Sequence, residues 1–386
     1  MQLMDELHDL LARLVSIDSV NPRLVPGASG ESTIGSCVAE WLGARGLEVR
    51  LQDTTEAGRR NVIAIARGTG GGRSLMLNAH MDTVGVTGME APFRPEIRGG
   101  RLYGRGAMDT KGALAAFMMA AADAAAARAD GKRRRGDVIL TAVVDEEYAS
   151  IGTEAVVREY RADAAIVGEP TGLRIVTEHK GFAWFDIETS GVAAHGSLPD
   201  VGVDAIVAMG KVLVELEAES RRLAAGRRHP TLGAASVHAS LVAGGQELSS
   251  YPAACRLSLE RRTLPGETAQ SVESELRTLL DRIGAADPKF RATMRCTFVR
   301  NPMEADRASA IVAALSANLA RRTGSPAVFA GESGWLDSSL LDGAGIQTVV
   351  IGPRGAGLHG VEEWVELDSV RTCQEVVTGA IDDFCQ

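Results

Sequence analysis

The hydrophobic positions change period along the chain. Leu3, Leu7, Leu10, Leu11 and Leu14 recur at helical spacing and predict an amphipathic opening helix, closed off by Asn21-Pro22. Ile34, Val38, Trp41 and Leu42 predict a second helix over about 31–44, which Gly46 ends. Leu47, Val49 and Leu51 alternate as a strand, 62–66 forms a second and 74–79 a third. The Gly68–Gly72 run reads as a hairpin-like turn rather than a phosphate loop, because strands and not a helix flank it. From Thr110 to Arg128 the Ala- and Met-rich sequence predicts a buried helix. The segment 138–144 is nearly all apolar, as expected of a central strand in a mostly parallel sheet. A helix over about 153–161 and a short strand at 164–167 follow.

After Gly172 the pattern changes. Residues 182–189 alternate, 203–225 predict a long helix, and 235–242 and 254–261 alternate again. A helix at about 269–283 and a strand near 290–298 come next. This strand-helix-strand-strand-helix-strand order predicts a small α+β domain with an antiparallel sheet and two helices, inserted between about residues 176 and 293. A helix at 305–321, a strand at 347–351 and a last helix at 367–384 then resume the alternation. The expected fold class is therefore α/β. A mostly parallel sheet flanked by helices occupies 1–175 and 294–386, and the α+β domain occupies 176–293. No internal repeat or low-complexity segment interrupts it.

Composition narrows the function. The 386 residues fit one large domain or two ordinary ones, and 45% apolar with 24% charged content describes a globular chain. A net charge of −9 argues against nucleic acid as the main partner. The one basic cluster, Arg133-Arg134-Arg135, reads as a solvated loop. Cys37, Cys255, Cys296, Cys373 and Cys385 are odd in number and widely spaced, which fits a reducing compartment without a disulfide framework. Any zinc would then be held by His and carboxylates. Asp5, Glu6 and Asp9 break up a signal-peptide pattern, and no run reaches the ~18 apolar residues of a membrane helix. The expectation is a cytoplasmic protein with no membrane partner.

The polar residues at the strand ends carry the chemistry. His80 and Asp82 sit at the tip of the third strand, and Asp109 at the mouth of the Ala-rich helix. Glu146-Glu147 follow the apolar strand, Glu169 follows 164–167, and His359 comes shortly after 347–351. In an open α/β sheet the ligand crevice lies beyond the carboxyl ends of the strands. Taken singly, each has a plain structural reading: a satisfied core histidine, a solvated acid pair, a turn cap before Pro170, a surface histidine. Taken together, carboxylates crowded at one sheet end would repel one another without a cation.

These residues carry a resemblance. His80-Met-Asp82-Thr-Val, Gly104-Arg-Gly-Ala-x-Asp109-x-Lys-Gly112, Asp145-Glu146-Glu147, Gly168-Glu169-Pro170 and Leu358-His359-Gly360 resemble the di-zinc metallopeptidase and deacylase family. That family includes acetylornithine deacetylase, succinyl-diaminopimelate desuccinylase, aminoacylase and glutamate carboxypeptidase. The inserted domain resembles the family's lid and dimerisation domain through Gly191-x-x-x-His195-Gly-Ser197-x-Pro199 and Arg262.

The resemblance implies two Zn2+ per subunit, with Co2+ or Mn2+ able to stand in. His80 and Glu169 would bind one ion, Glu147 and His359 the other, and Asp109 would bridge. Asp82 would orient the His80 imidazole. Glu146 would be the general base toward the attacking water, and a bend after Val144 would aim Glu146 and Glu147 at their separate tasks. His195 would stabilise the oxyanion from the lid, in this family commonly that of the partner subunit, and Arg262 would bind the substrate's free carboxylate. A cis peptide at Asp109-Thr110 and a homodimer through the inserted domain are also implied.

The implied reaction is hydrolysis of a small-molecule linear amide. Glu at position 169 resembles the deacylase side of the family, where an acyl group leaves an N-acyl amino acid or related amine; peptidase members more often carry Asp. A dipeptidase or carboxypeptidase on the same scaffold is the alternative. A binding protein that kept the fold without activity is opposed by the complete ligand set with Glu146. A nucleotide-binding protein is opposed by the missing Gly-rich strand-turn-helix fingerprint. Two segments depart from the family. Ser249-Ser250-Tyr251-Pro252 lacks the frequent Asn, and Gly334-Trp335-Leu336-Asp337 replaces Gly-Thr-Asp or Thr-Ser-Asp. Trp335 is expected to narrow the substrate pocket or supply an aromatic wall.

Overall fold

In a computed structural model, residues 6–129 and 134–386 are described. Leu3 of the expected opening helix and Arg133 of the basic cluster lie outside them. The chain separates into two compact units. One runs to Thr177 and takes in Ala305–Ala330 and Leu336–Gln386; the other is Glu178–Glu304 with Gly331–Trp335. An inserted domain ending at 293 would cut through the strand Ala292–Arg300. That whole strand pairs with Gly181–Ser190, so the second unit extends to Glu304.

The first unit is built on a mixed sheet. Its order is Glu48–Asp53, Arg60–Ala66, Val138–Val143, Leu75–His80, Ala164–Val167, Gln347–Val350. The last four run parallel and are buried except at Gln347, which is why they read as unbroken apolar runs. The flanking strands are antiparallel. The four parallel strands end on one edge, and their exits bring distant sequence positions together.

The Gly68–Gly72 run is not a hairpin turn. Arg60–Ala66 and Leu75–His80 are not neighbours, because Val138–Val143 lies between them and pairs with both. The run is instead held by main-chain bonds from Thr69 and Gly70 to the carbonyls of Arg134 and Arg135, both 2.9 Å. Arg134 is correspondingly not a solvated loop residue. It is half-buried and donates to the carbonyls of Ala124 (3.0 Å) and Gly136 (3.2 Å).

The helices follow the periodicity. Glu6–Val15 buries Leu7, Leu10, Leu11 and Leu14, and Ser32–Gly43 buries Ile34, Val38, Trp41 and Leu42. Gly112–Ala129 packs against the last helix, Leu367–Phe384. The helix expected from 305 begins at Ala310, because Met303–Glu304 is a short strand and a turn at Asp306 (Ser309 N–H to Asp306 O, 3.0 Å) precedes it. A small sheet of Glu96–Arg98, Arg101–Tyr103, Trp364–Glu366 and Gly355–Ala356 escaped the sequence reading, since strands of two or three residues show no period.

The second unit is a four-stranded antiparallel sheet in the order Ser236–Gly244, Ala254–Thr263, Gly181–Ser190, Ala292–Arg300. It has its own core. Ala183, Phe185 and Ile187, alternate residues of Gly181–Ser190, cluster with Met209 and Val212 of Ala205–Ala225 and Leu276 of Ala269–Ala286. The five cysteines are free thiols. Among the described residues no helix is long and apolar enough to cross a membrane.

Candidate metal centre

His80 is the last residue of its strand. Its Nδ1 lies 2.9 Å from the main-chain oxygen of Asp82 and 3.6 Å from the Asp82 carboxylate. The Asp82 main-chain oxygen is thus nearer to this nitrogen than the carboxylate expected to orient the ring, which still acts on it electrostatically. The carboxylate accepts from the main-chain N–H groups of Glu146 (3.1 Å) and Glu147 (3.2 Å) and from Asn21 Nδ2 (2.8 Å). Asp82 therefore holds the neighbouring acidic loop as well as the first strand end.

Asp109 arrives on a tight turn. Gly104 (φ 149°) and Gly106 (φ 80°) take conformations that side chains avoid. A Cβ on Gly104 would lie 2.4 Å from Val15 Cγ1, and one on Gly106 2.8 Å from Thr83 Cγ2. The Asp109–Thr110 peptide is cis, as expected. Thr110 Oγ1 donates to the carbonyl of Gly168 (2.9 Å), which ties this turn to the segment carrying Glu169.

The acidic loop bends at Asp145, whose φ of 68° lies in the left-handed region. Asn21 Nδ2 (3.0 Å) and Arg59 Nη1 (2.6 Å) both donate to Asp145 Oδ1, and Arg59 also pairs with Glu31. This buried network fixes the bend that separates Glu146 from Glu147. His359 also has a left-handed backbone (φ 56°), a conformation costing non-glycine residues about 1–3 kcal/mol and concentrated at functional sites.

The polar tips converge in two groups of three that share Asp109. In one, ligand atoms of His80, Asp109 and Glu169 all lie within 4.8 Å of one another; in the other, those of Asp109, Glu147 and His359 do. Asp109 divides its oxygens between them. Oδ1 is 3.1 Å from His80 Nε2, and Oδ2 is 3.4 Å from His359 Nε2, which is itself 3.2 Å from Glu147 Oε2.

The electrostatics of the cluster call for positive charge. Burial, then the charge of Glu169, pushes Glu146 well above the usual carboxylate range; burial likewise raises Glu169, with Asp109 and Asp337 adding to it. Burial and Asp109 push Glu147 up to about 7. Burial alone would favour a neutral His80, but its bonds to Asp109 and Asp82 raise it well above its ordinary value. Asp109 and Glu147 raise His359 to about 10. Protons take the place that a cation would fill. Imidazole nitrogens and carboxylate oxygens in groups of three fit zinc and similar divalent ions.

His195, Arg262 and Trp335 are not part of these groups; all three belong to the second unit. His195 Nδ1 meets Ser197 Oγ (2.8 Å), and the residue bridges to Ser250 of the divergent Ser249–Pro252 stretch. Arg262 Nε donates to Glu260 (2.7 Å), with its guanidinium 5.2 Å from the Phe182 ring centre. Trp335 donates to the carbonyl of Asn301 (3.1 Å) and meets the rings of His179 and Phe182 edge-on.

Sequence reading missed Asn21, Arg59, Arg105, Asp337 and Glu363, all buried. Asp337 stands two residues past Trp335 and accepts from Thr153 Oγ1 (2.6 Å); burial raises it to about 6. Glu363 had one available signal: a second acid pair, Glu362-Glu363, close after His359.

A mixed α/β unit ending in two carboxylate–imidazole triads defines a class of hydrolase. The chain belongs to the peptidase family M20/M25/M40, whose model matches residues 76–383. It is a metal-dependent amidohydrolase. It is 31% identical over 335 residues to an acetylornithine deacetylase of Myxococcus xanthus, covering 84% of each chain. In fold it is similar to aminopeptidase PepT of Bacillus cereus, with a TM-score of 0.78, 19% identity and 98% of each chain covered. It is similar also to a dinuclear metal-binding peptidase of the M20 family from Bacillus subtilis, with a TM-score of 0.74, 18% identity and 98% and 97% covered.

Proposed function

We propose that the protein is a zinc-dependent deacylase that removes the acyl group from an N-acyl amino acid or a related amine. The observation that carries this reading is the sharing of Asp109 between two triads, one oxygen to each, with Glu146 in the same cluster. The likeness to an acetylornithine deacetylase and the Glu at position 169 support deacylation over peptide cleavage. His80 and Glu169 would hold one ion, Glu147 and His359 the other, and Asp109 both. Bound there, the ions supply Lewis acidity toward the amide carbonyl and the attacking water.

The chain's own groups do the rest. Glu146 takes the proton of the attacking water on its carboxylate and returns it to the departing amine; a carboxyl raised in pKa is suited to both halves of that transfer. Asp82, through the amides of Glu146 and Glu147, keeps the base and its neighbouring ligand in register. His195 is assigned to the developing oxyanion and Arg262 to a carboxylate on the substrate. The working form is proposed as a cytoplasmic homodimer associating through the second unit.

The test is a screen of protein reconstituted with zinc against N-acyl amino acids and dipeptides, with products identified. Release of carboxylic acid and free amine from the N-acyl compounds is expected. Cleavage of dipeptides alone would give the reaction to a dipeptidase or carboxypeptidase. Two bound ions without turnover on either set would mark a binding protein.

A further inference from the structure

Glu363 lies four residues beyond His359 and is 1% exposed. Its carboxylate is filled from a single stretch of chain. Oε2 accepts from Arg105 Nη1 (2.8 Å) and the Gly106 N–H (2.9 Å), and Oε1 accepts from the N–H groups of Met108 (2.9 Å) and Asp109 (3.0 Å). A carboxylate has about four lone-pair sites, so this one is saturated and not free to bind metal or substrate. Arg105, also buried, returns the tie: Nη2 donates to the carbonyl of Gly360 (2.9 Å), and the neighbouring Gly104 N–H donates to the Glu363 carbonyl (3.1 Å). Residues 104–109 and 360–363 are thus bound together immediately behind Asp109 and His359.

We propose that Glu363 and Arg105 form a positioning pair for the metal centre: they set the approach of Asp109 to His359 and thereby the ion affinity of the Asp109–Glu147–His359 triad. This rests on the ligand assignment proposed above. The His80–Asp109–Glu169 triad shares Asp109 but has further ties of its own, two strand exits and the Thr110–Gly168 bond, whereas His359 stands on the loop that the pair holds. The pair therefore acts on one triad more than the other. A purely structural ion pair would support folding and leave the ions alone.

Glu363→Gln separates these roles. The amide is isosteric, but its NH2 faces main-chain donors and must displace them. Full-length wild-type and variant proteins are titrated with Co2+, following bound metal and the visible spectrum, with circular dichroism and melting as the check on folding. Wild type is expected to take two ions. Glu363→Gln is expected to keep one at wild-type affinity and to bind the other about 10–100-fold more weakly, the usual range for groups that orient metal ligands. Arg105→Lys, which loses the fork to Gly360, should shift the same ion in the same direction, and supplies the test where Glu363→Gln does not fold. Glu267→Gln, which breaks the buried Arg261–Glu267 pair of the second unit, should lower the melting temperature without changing either affinity. A folded Glu363→Gln protein with two ions at wild-type affinity and spectrum would overturn the proposal. A wild-type chain that takes no second ion would overturn the ligand assignment, and the positioning role with it.

Discussion

The two triads that share Asp109 are built differently. His80, Asp109 and Glu169 are all buried; in the second triad the Glu147 side chain is also buried, at 7% exposed, and the His359 side chain is 56% exposed. The first triad stands on the exits of two paired parallel strands, Leu75–His80 and Ala164–Val167, whose ladder fixes their register. The second stands on loops. Glu147 follows the left-handed bend at Asp145, and His359 is itself left-handed. A sheet exit holds a ligand through main-chain pairing, while a loop needs side chains to hold it, and here those are Asp82, Asn21, Arg59, Arg105 and Glu363. The deep triad should therefore bind the tight ion and the shallow triad the exchangeable one.

The largest effect tests the buried acid beside them. Glu146→Ala should lower turnover by about 10²–10⁴-fold, the usual contribution of a positioned base, while both ions stay bound. Metal analysis beside steady-state kinetics decides it. Loss of an ion together with activity would make Glu146 a ligand and blur the division into two triads.

Removing one ligand from each triad breaks the comparison directly. His359→Ala should retain one ion per chain after gel filtration, and His80→Ala should lose the tightly held one. Truncating a residue that contacts a metal removes a bond that a distant group cannot replace, so each loss should exceed that of any supporting residue. Equal metal content in the two variants would show that depth in the fold does not rank the sites.

How much of this was legible in the sequence follows the same division. The deep half was plain, because an apolar run ending in His80 and another ending in Glu169 announce strand exits, and parallel strands exit on one edge. Glu147 and His359 were legible as motif positions, and a bend after Val144 was expected and lies at Asp145; the left-handed backbone of His359 had no sequence signal. The supporting residues were nearly silent. Asn21 read as the end of a helix, and it is a hydrogen-bond donor to two carboxylates 61 and 124 positions away. A pattern with a period of two or 3.6 reports a buried face, and carries no trace of a buried polar contact made across the chain. The hairpin reading of Gly68–Gly72 failed for a related reason: local turn chemistry could not reveal that Val138–Val143 inserts between the flanking strands.

A pH titration of ion affinity sharpens the contrast at a smaller scale. Without metal, Glu147 is raised to about 7 and His359 to about 10, so both carry protons in mild acid. A cation must displace those protons, and binding to the shallow triad strengthens as pH rises through about 7 and onward toward 10. The sign is fixed by competition at the same atoms: falling pH favours the proton. Dissociation constants for the weaker ion at pH 6, 7 and 8 should fall in that order; the tighter ion, whose His80 and Glu169 are likewise raised, should follow with the same sign from a lower starting constant. A flat profile would mean that Glu147 and His359 do not ligate the weaker ion.

The smallest expected effect isolates the support of the acidic loop. Asn21 is fully buried, and its Nδ2 is shared between Asp82 Oδ2 (2.8 Å) and Asp145 Oδ1 (3.0 Å). Asn21→Ala leaves two buried carboxylates without their common donor, a deficit of about 1–3 kcal/mol. Asp82 keeps the amides of Glu146 and Glu147, and Asp145 keeps Arg59, so the loss should fall toward the lower end of that range. Denaturant unfolding measures it. Because the acidic loop carries Glu146 and Glu147 but neither His80 nor Glu169, turnover should drop and the weaker ion should loosen, while the tight ion is retained. Asn21→Asp should be worse than Asn21→Ala, since it adds a third carboxylate where a donor stood. If Asn21→Asp were as stable as the wild type, the amide would not be the tie between strand exit and acidic loop, and the shallow triad would owe its geometry to Asp82, Arg59, Arg105 and Glu363.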